Sequence, residues 1–124
     1  MYEVFVDETF AAAHNLRNYK GKCENLHGHN YKVRVALSGA ELDASGLLYD
    51  FVHLKGVLQT VIRGLDHKYL NEMKPFDTVN PSAENVARYI YDETMKQLHQ
   101  SPSGAAVSSV TVWETETSAA TYRP

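Results

Sequence analysis

Hydrophobic spacing in this chain changes period twice, and the order of those periods limits the folds open to it. "YEVFVDETFAAAH" (residues 2–14) and "HNYKVRVALSG" (29–39) alternate as half-buried strands do. In the second, Tyr31, Val33, Val35 and Leu37 share one face, and Asn30, Lys32 and Arg34 the other. In the first, Val4, Val6 and Thr9 are set opposite Phe5 and Phe10, and the strand runs into His14. The polar "NLRNYKGKCEN" between them reads as a loop, and Asp43 to Gly46 as a turn. "VHLKGVLQTVIRGL" then switches to spacings of three and four through Leu54, Val57, Leu58, Val61, Ile62 and Leu65, which is an amphipathic helix. Asp50 can cap its start, and Gly64 sits near its end. "DHKYLNEMKPFDTVN" is a connector. "PSAENVARYIYDETMKQLHQ" is a second helix, capped by Asn80 or Ser82, with Pro81 tolerated in its first turn. "AVSSVTVWETETSAATYRP" returns to period two, and a turn near Glu116 to Ser118 closes a hairpin.

This order predicts one α+β domain over residues 1–124: a four-stranded antiparallel sheet with two helices on one face, in the order ββααββ. A sheet covered on one side leaves a bare face and two edges, so self-association is expected. Hydrophobic residues make up 44% of the chain and charged ones 22%, enough apolar surface for a core and against disorder. The formal net charge of −3 gives no overall basic field to draw in nucleic acid or a membrane surface. A single cysteine forms no internal disulfide and suggests an intracellular protein. The opening "MYEVFVDETF" has no basic region followed by an apolar run, so no signal peptide is expected. No apolar stretch is long enough to span a bilayer, and the expected location is cytoplasmic.

The chemistry concentrates in "CENLHGHNY". His27 and His29, two apart on a strand, put both imidazoles on one face, with Gly28 allowing close backbone approach between them. If the two strands pair, His14 supplies a third nitrogen. A lone histidine is ordinarily a surface residue; three converging neutral imidazoles describe an open Zn2+ site. Cys23 lies in polar "KGKCEN", where Lys20 and Lys22 place positive charge beside the thiol. A fourth metal ligand, a nucleophile and a general base all remain open to it. Glu24 is by default a solvated loop residue. Asp66 beside His67 could orient and charge the ring. Glu114 in "VTVWETET" shares a strand face with Val112 and needs a partner there. Glu84 suits the positive end of the second helix. His53 and His99, read as exposed and helical, receive no role. Arg17, Lys20 and Lys22 form a local basic patch. Two other classes fit three histidines: a zinc hydrolase with Glu24 as base, and a non-catalytic zinc-stabilised assembly module.

"FAAAHNL", "CENLHGHNY", "LDHKYLN", "NPSAENVARYI" and "VWET" before "TYR", in this order, resemble the 6-pyruvoyltetrahydropterin synthase / 6-carboxytetrahydropterin synthase family over almost the whole chain. The resemblance implies the tunnelling fold (T-fold), with sheets joined into a barrel in a homo-oligomer, a hexamer favoured, and sites between subunits. It implies Zn2+ on His14, His27 and His29, and 7,8-dihydroneopterin triphosphate as substrate. Cys23 would be the proton acceptor, with Asp66 and His67 as its relay. Glu114 would hold the pterin's guanidine-like edge through paired hydrogen bonds. Ser82 and Glu84 would lie in the substrate site; Ala83 stands where the family's turn is richer in hydroxyls. Arg17, Lys20 and Lys22 suit the triphosphate by charge. The spacing "CExxHGH" resembles both the branch that forms 6-carboxy-5,6,7,8-tetrahydropterin for queuosine through the cysteine and the branch that releases 6-hydroxymethyl-7,8-dihydropterin for folate through the glutamate. The first is favoured, with the second as an alternative or added activity.

Overall fold

The computed structural model describes residues 1–98 and 101–124; His99 therefore lies outside the described residues. Strand β1 (Tyr2–His14) pairs antiparallel with β2 (His27–Gly39), which pairs with β4 (Ala106–Thr115), which forms a hairpin with β5 (Ser118–Tyr122). Helices α1 (Phe51–Arg63) and α2 (Ala83–Gln97) cover one face, α1 against β1 and α2 against β4 and β5. The α+β class and the helix-covered sheet are as expected.

The strand count is not. The connector after α1 contributes a two-residue strand, β3 (Lys68–Tyr69), parallel to β1 at Ala12 and Ala13, so among the described residues the sheet has five strands in the order β3-β1-β2-β4-β5. Two residues carry no readable period. The pairing arises because the turn before them is tied to β1: the Ala11 N–H donates to Asp66 Oδ1 at 2.9 Å, and the His67 N–H to the Ala11 carbonyl at 2.6 Å.

Period two holds without interruption along β1, so Phe10 joins Val6, Ala12 and His14 on the core face, correcting its placement beside exposed Phe5. Phe10 stacks on Tyr31 of β2, centroids 4.7 Å apart and planes within 9°. Tyr31, Val33, Val35 and Leu37 are all fully buried, as their alternation requires. They meet Leu54, Leu58 and Leu65 from the first helical segment and Val86 and Ile90 from the second. Asp50 caps α1, its carboxylate accepting the Val52 N–H at 2.8 Å. Ser82, not Asn80, caps α2 by accepting the Asn85 N–H at 3.2 Å, which leaves Pro81 just outside the helix. His53 is helical as read, but half-buried against the Tyr49 ring rather than exposed. Among the described residues no helix is long and apolar enough to cross a membrane.

Among the described residues, no helix covers the other face of the sheet. Arg34 lies over the Phe5 ring, 3.7 Å from its centroid, and holds both oxygens of Asp7 at 2.8 and 3.0 Å. Lys32 sits 4.8 Å over Trp113. Along β1, β3 occupies the outer edge only at Ala12 and Ala13, so among the described residues no strand pairs with Tyr2 to Phe10 on that side, which forms an open edge.

Candidate metal centre

Strand register assembles the histidines. His14 faces His27 directly across the β1–β2 ladder, and His29 comes two residues on along the same face. Their ligand atoms all lie within 4.8 Å of one another, the group among the described residues that could share one ion. Fully buried Tyr31 lies beneath, its ring centroid 5.9 Å from that of His14 and 5.3 Å from that of His29.

Backbone carbonyls then fix two tautomers. His14 Nδ1 lies 2.7 Å from the Pro81 carbonyl, and His27 Nδ1 lies 2.7 Å from the Asn25 carbonyl. A carbonyl only accepts, so each Nδ1 carries a hydrogen, and in the neutral ring each Nε2 presents a lone pair. Those two Nε2 atoms stand 2.9 Å apart. Burial lowers the His14 and His29 pKa values below the usual histidine range, which favours the neutral form of both rings. Two lone pairs at that separation repel unless a cation stands between them. His29 Nε2 is buried with no hydrogen-bond partner. The donor set fits a borderline-soft divalent ion bound through nitrogen.

Glu114 of β4 enters the same space, Oε1 3.9 Å from His14 Nε2 and Oε2 3.7 Å from His29 Nε2. The contact is an ion pair only when a ring is protonated. A cavity of about 480 Å³ opens beside it, bordered by Leu16, Ser82, Ala83, Glu84 and Glu114. Ser82 spends an oxygen lone pair on its cap, and its hydroxyl hydrogen stays free for the cavity. Glu84 is exposed in the first turn of α2 and makes no hydrogen bond or ion pair among the described residues.

Cys23 and Glu24 share a 3₁₀ turn, Lys22–Glu24, whose half-buried Cys23 carbonyl accepts the Leu16 N–H at 2.7 Å and ties the loop to the end of β1. Neither side chain belongs to the histidine cluster, which removes support for Cys23 as a metal ligand. Glu24, Lys20 and Lys22 are exposed. Arg17 is not free to meet an anion: its guanidinium donates to the Phe76 and Asn71 carbonyls and to Asn80 Oδ1.

Asp66 and His67 do face each other, Oδ1 to Nδ1 at 3.1 Å. His67 sits in the left-handed region at φ 58, rare for a residue with a side chain, held there by its N–H to Ala11. The Ala11 N–H on Asp66 holds that carboxyl below the usual aspartate range. The His67 side chain is 82% exposed and borders a second cavity of about 490 Å³ with Ala13, Gly28, His29 and Asn30.

The sequence reading missed the groups that aim the rings. Asn15, Asn71, Asn80 and Asn85 knit the loops around His14: Asn71 accepts the Asn15 N–H, Asn80 accepts the Arg17 N–H and returns a bond to the Arg17 carbonyl, and Asn85 donates to the Asn80 carbonyl. The recurrence of asparagine in "HNL", "LNE" and "VNPSAEN" was the available signal, since its amide substitutes for backbone partners in loops.

A family model described as 6-pyruvoyl tetrahydropterin synthase matches residues 3–124. The 6-carboxy-5,6,7,8-tetrahydropterin synthase of Bacillus subtilis is 36% identical over 99% of this chain and 86% of its own length. The human 6-pyruvoyl tetrahydrobiopterin synthase is 36% identical over 93% of this chain and 86% of its own. The structure of Caenorhabditis elegans 6-pyruvoyl tetrahydropterin synthase superposes with a TM-score of 0.88 at 32% identity, covering 99% of this chain and 95% of that one. Likeness of this extent in sequence and in fold makes the chain a member of the 6-pyruvoyl tetrahydropterin synthase family.

Proposed function

We propose that this protein is a zinc-dependent lyase that converts 7,8-dihydroneopterin triphosphate and water into 6-carboxy-5,6,7,8-tetrahydropterin, acetaldehyde and triphosphate. The observation that carries the reading is the pair of carbonyl-pinned imidazoles whose Nε2 lone pairs meet at 2.9 Å beside an open cavity. His14, His27 and His29 would hold Zn2+, which when bound supplies a Lewis acid for the hydroxyls of the substrate side chain. Several curated relatives carry the name of this synthase, among them those of Bacillus subtilis and Synechocystis, which supports the product assignment.

The chain's own residues take these parts. The cavity receives the pterin. Glu114 was read as its anchor, yet its carboxylate is turned to the histidines; Glu84, at the mouth of the same cavity, is the carboxylate free to accept from the ring's donor edge. Ser82 contributes its hydroxyl hydrogen. Cys23 accepts a carbon-bound proton. Asp66 orients and charges His67, which passes protons onward. His67 projects from its own chain, so we assign it to a site completed by a second copy, in a cytoplasmic homo-oligomer with a hexamer favoured. The open β1 edge and the uncovered sheet face support that assembly.

A second reading rests on the 3₁₀ turn that carries Cys23 and Glu24 side by side. With Glu24 as base the side chain would be cleaved to 6-hydroxymethyl-7,8-dihydropterin. Mass spectrometry of the pterin formed from 7,8-dihydroneopterin triphosphate by zinc-loaded protein separates the two. Carboxytetrahydropterin with acetaldehyde, lost in Cys23→Ala, is the expected result. Hydroxymethyldihydropterin, lost in Glu24→Gln, would replace it with the second reading. Full turnover after chelation, with no metal remaining, would overturn both.

A further inference from the structure

We infer that Tyr69 and Asn71 are positioning residues: by clamping Asn15 they carry the metal ligand His14 and the relay histidine His67 on one unit, so that filling the metal site also fixes His67. The inference rests on the roles given above to those two histidines and goes beyond them, because nothing there joins one to the other.

The β1–β2 ladder ends at the pair His14 and His27. The next residue, Asn15, turns to a different support. Its N–H donates to Asn71 Oδ1 at 2.9 Å, and its carbonyl accepts from Asn71 Nδ2, also at 2.9 Å. Its side-chain oxygen accepts the Tyr69 hydroxyl at 2.6 Å. One carboxamide thus takes both backbone groups of a single residue, which fixes that residue in position and direction. Leu70, between the two clamping residues, is fully buried and anchors the clamp in the core.

His67 stands at the other end of the same short segment. Its N–H donates to the Ala11 carbonyl at 2.6 Å, and Lys68 and Tyr69 pair with Ala12 and Ala13. Residues 11–15 and 66–71 are therefore bonded at both ends and along the middle. Buried His14 belongs to this unit, and His67 extends from it with its side chain 82% exposed. His67 is held at φ 58, a conformation that surrounding bonds must enforce, so loosening the clamp lets it relax. A contiguous bonded unit is the physical means by which an ion at one site sets a group at another. On a loop opening by itself, His67 would keep its own motion whatever His14 bound.

The test follows amide hydrogen–deuterium exchange by mass spectrometry in the full-length protein, with and without Zn2+, well below the unfolding temperature. In wild type, Zn2+ should slow exchange at residues 12–15 and also at residues 66–71, the latter by about tenfold, the scale on which supporting groups act at metal sites. In Tyr69→Phe and in Asn71→Ala the slowing at 12–15 should persist and that at 66–71 should be lost. Tyr69→Phe removes one hydroxyl and keeps the ring, and circular dichroism shows that each variant is folded. Asn15→Asp keeps an acceptor for the Tyr69 hydroxyl and should retain the slowing; Asn15→Leu should lose it. With 7,8-dihydroneopterin triphosphate, Tyr69→Phe should lower kcat by about tenfold and leave KM within about twofold, as misplacement of a proton-transfer group does. The exchange measurement needs no substrate, so it is independent of the product assignment. Zinc-dependent slowing at 66–71 that is equal in wild type and both variants, or absent from a wild type that binds zinc, would overturn the inference and leave the three-histidine site intact. A wild-type protein that binds no Zn2+ by chelator competition would overturn the metal reading, and this inference with it.

Discussion

The Nδ1–H of His14 has its acceptor in the Pro81 carbonyl, and that one bond decides what the other ring nitrogen can do. Substituting His14 with Ala removes a ligand and leaves the Pro81 carbonyl without its donor, so zinc content measured by mass spectrometry should fall from one ion per chain toward none. On the opposite face, the Arg34 guanidinium holds the Asp7 carboxyl below its ordinary 3.8. The sign follows from the direction: the folded form binds the proton less readily, so this stabilisation is present above about pH 4 and fades as pH falls through the depressed value. Both side chains are about one-third exposed, so the pair contributes under about 1 kcal/mol. Asp7→Asn should lower the urea midpoint slightly at pH 7 and match wild type near pH 2.

At the scale of elements, the junction into α2 does two tasks. Ser82 caps the helix, and the preceding Pro81 carbonyl aims His14. Ser82→Ala should cost about 1 kcal/mol, which lowers Tm by about 3–5 °C in a domain of this size. Asn80 holds the same junction from outside, through both backbone groups of Arg17 and through Asn85. Asn80→Ala should therefore weaken metal binding by about tenfold through misaimed His14, in addition to a stability loss of about 1–3 kcal/mol. Chelator competition at a temperature well below unfolding isolates the first effect; an unchanged metal affinity would reduce Asn80 to a purely structural residue.

For the whole molecule, Gly28 is informative because nothing among the described residues demands it. A Cβ there would meet only the Ala12 carbonyl, at an ordinary 3.7 Å. Gly28→Ala should leave folding stability unchanged or slightly raised. If activity nevertheless falls, whatever meets that methyl comes from a second copy or the substrate, as sites shared between subunits require. Sedimentation on serial dilution, run beside the activity assay, should show activity lost as the oligomer dissociates; a fully active monomer would refute the shared site. Much of the molecule was legible beforehand. Tyr31 to Leu37, Leu54 to Leu65 and the His-x-His pair declare their faces because strand and helix periods are local properties of the backbone. A strict count of two along β1 would also have put Phe10 in the core. Local pattern cannot say which distant carbonyl a ring will find. That His14 meets Pro81, that Asp66 clips Ala11 and so creates β3, that Arg17 turns inward and that Glu114 reaches the histidines rather than standing free were decided by tertiary structure. Each depends on where loops far apart in sequence come to rest, and polar groups there settle on whichever partner the packed core brings within reach.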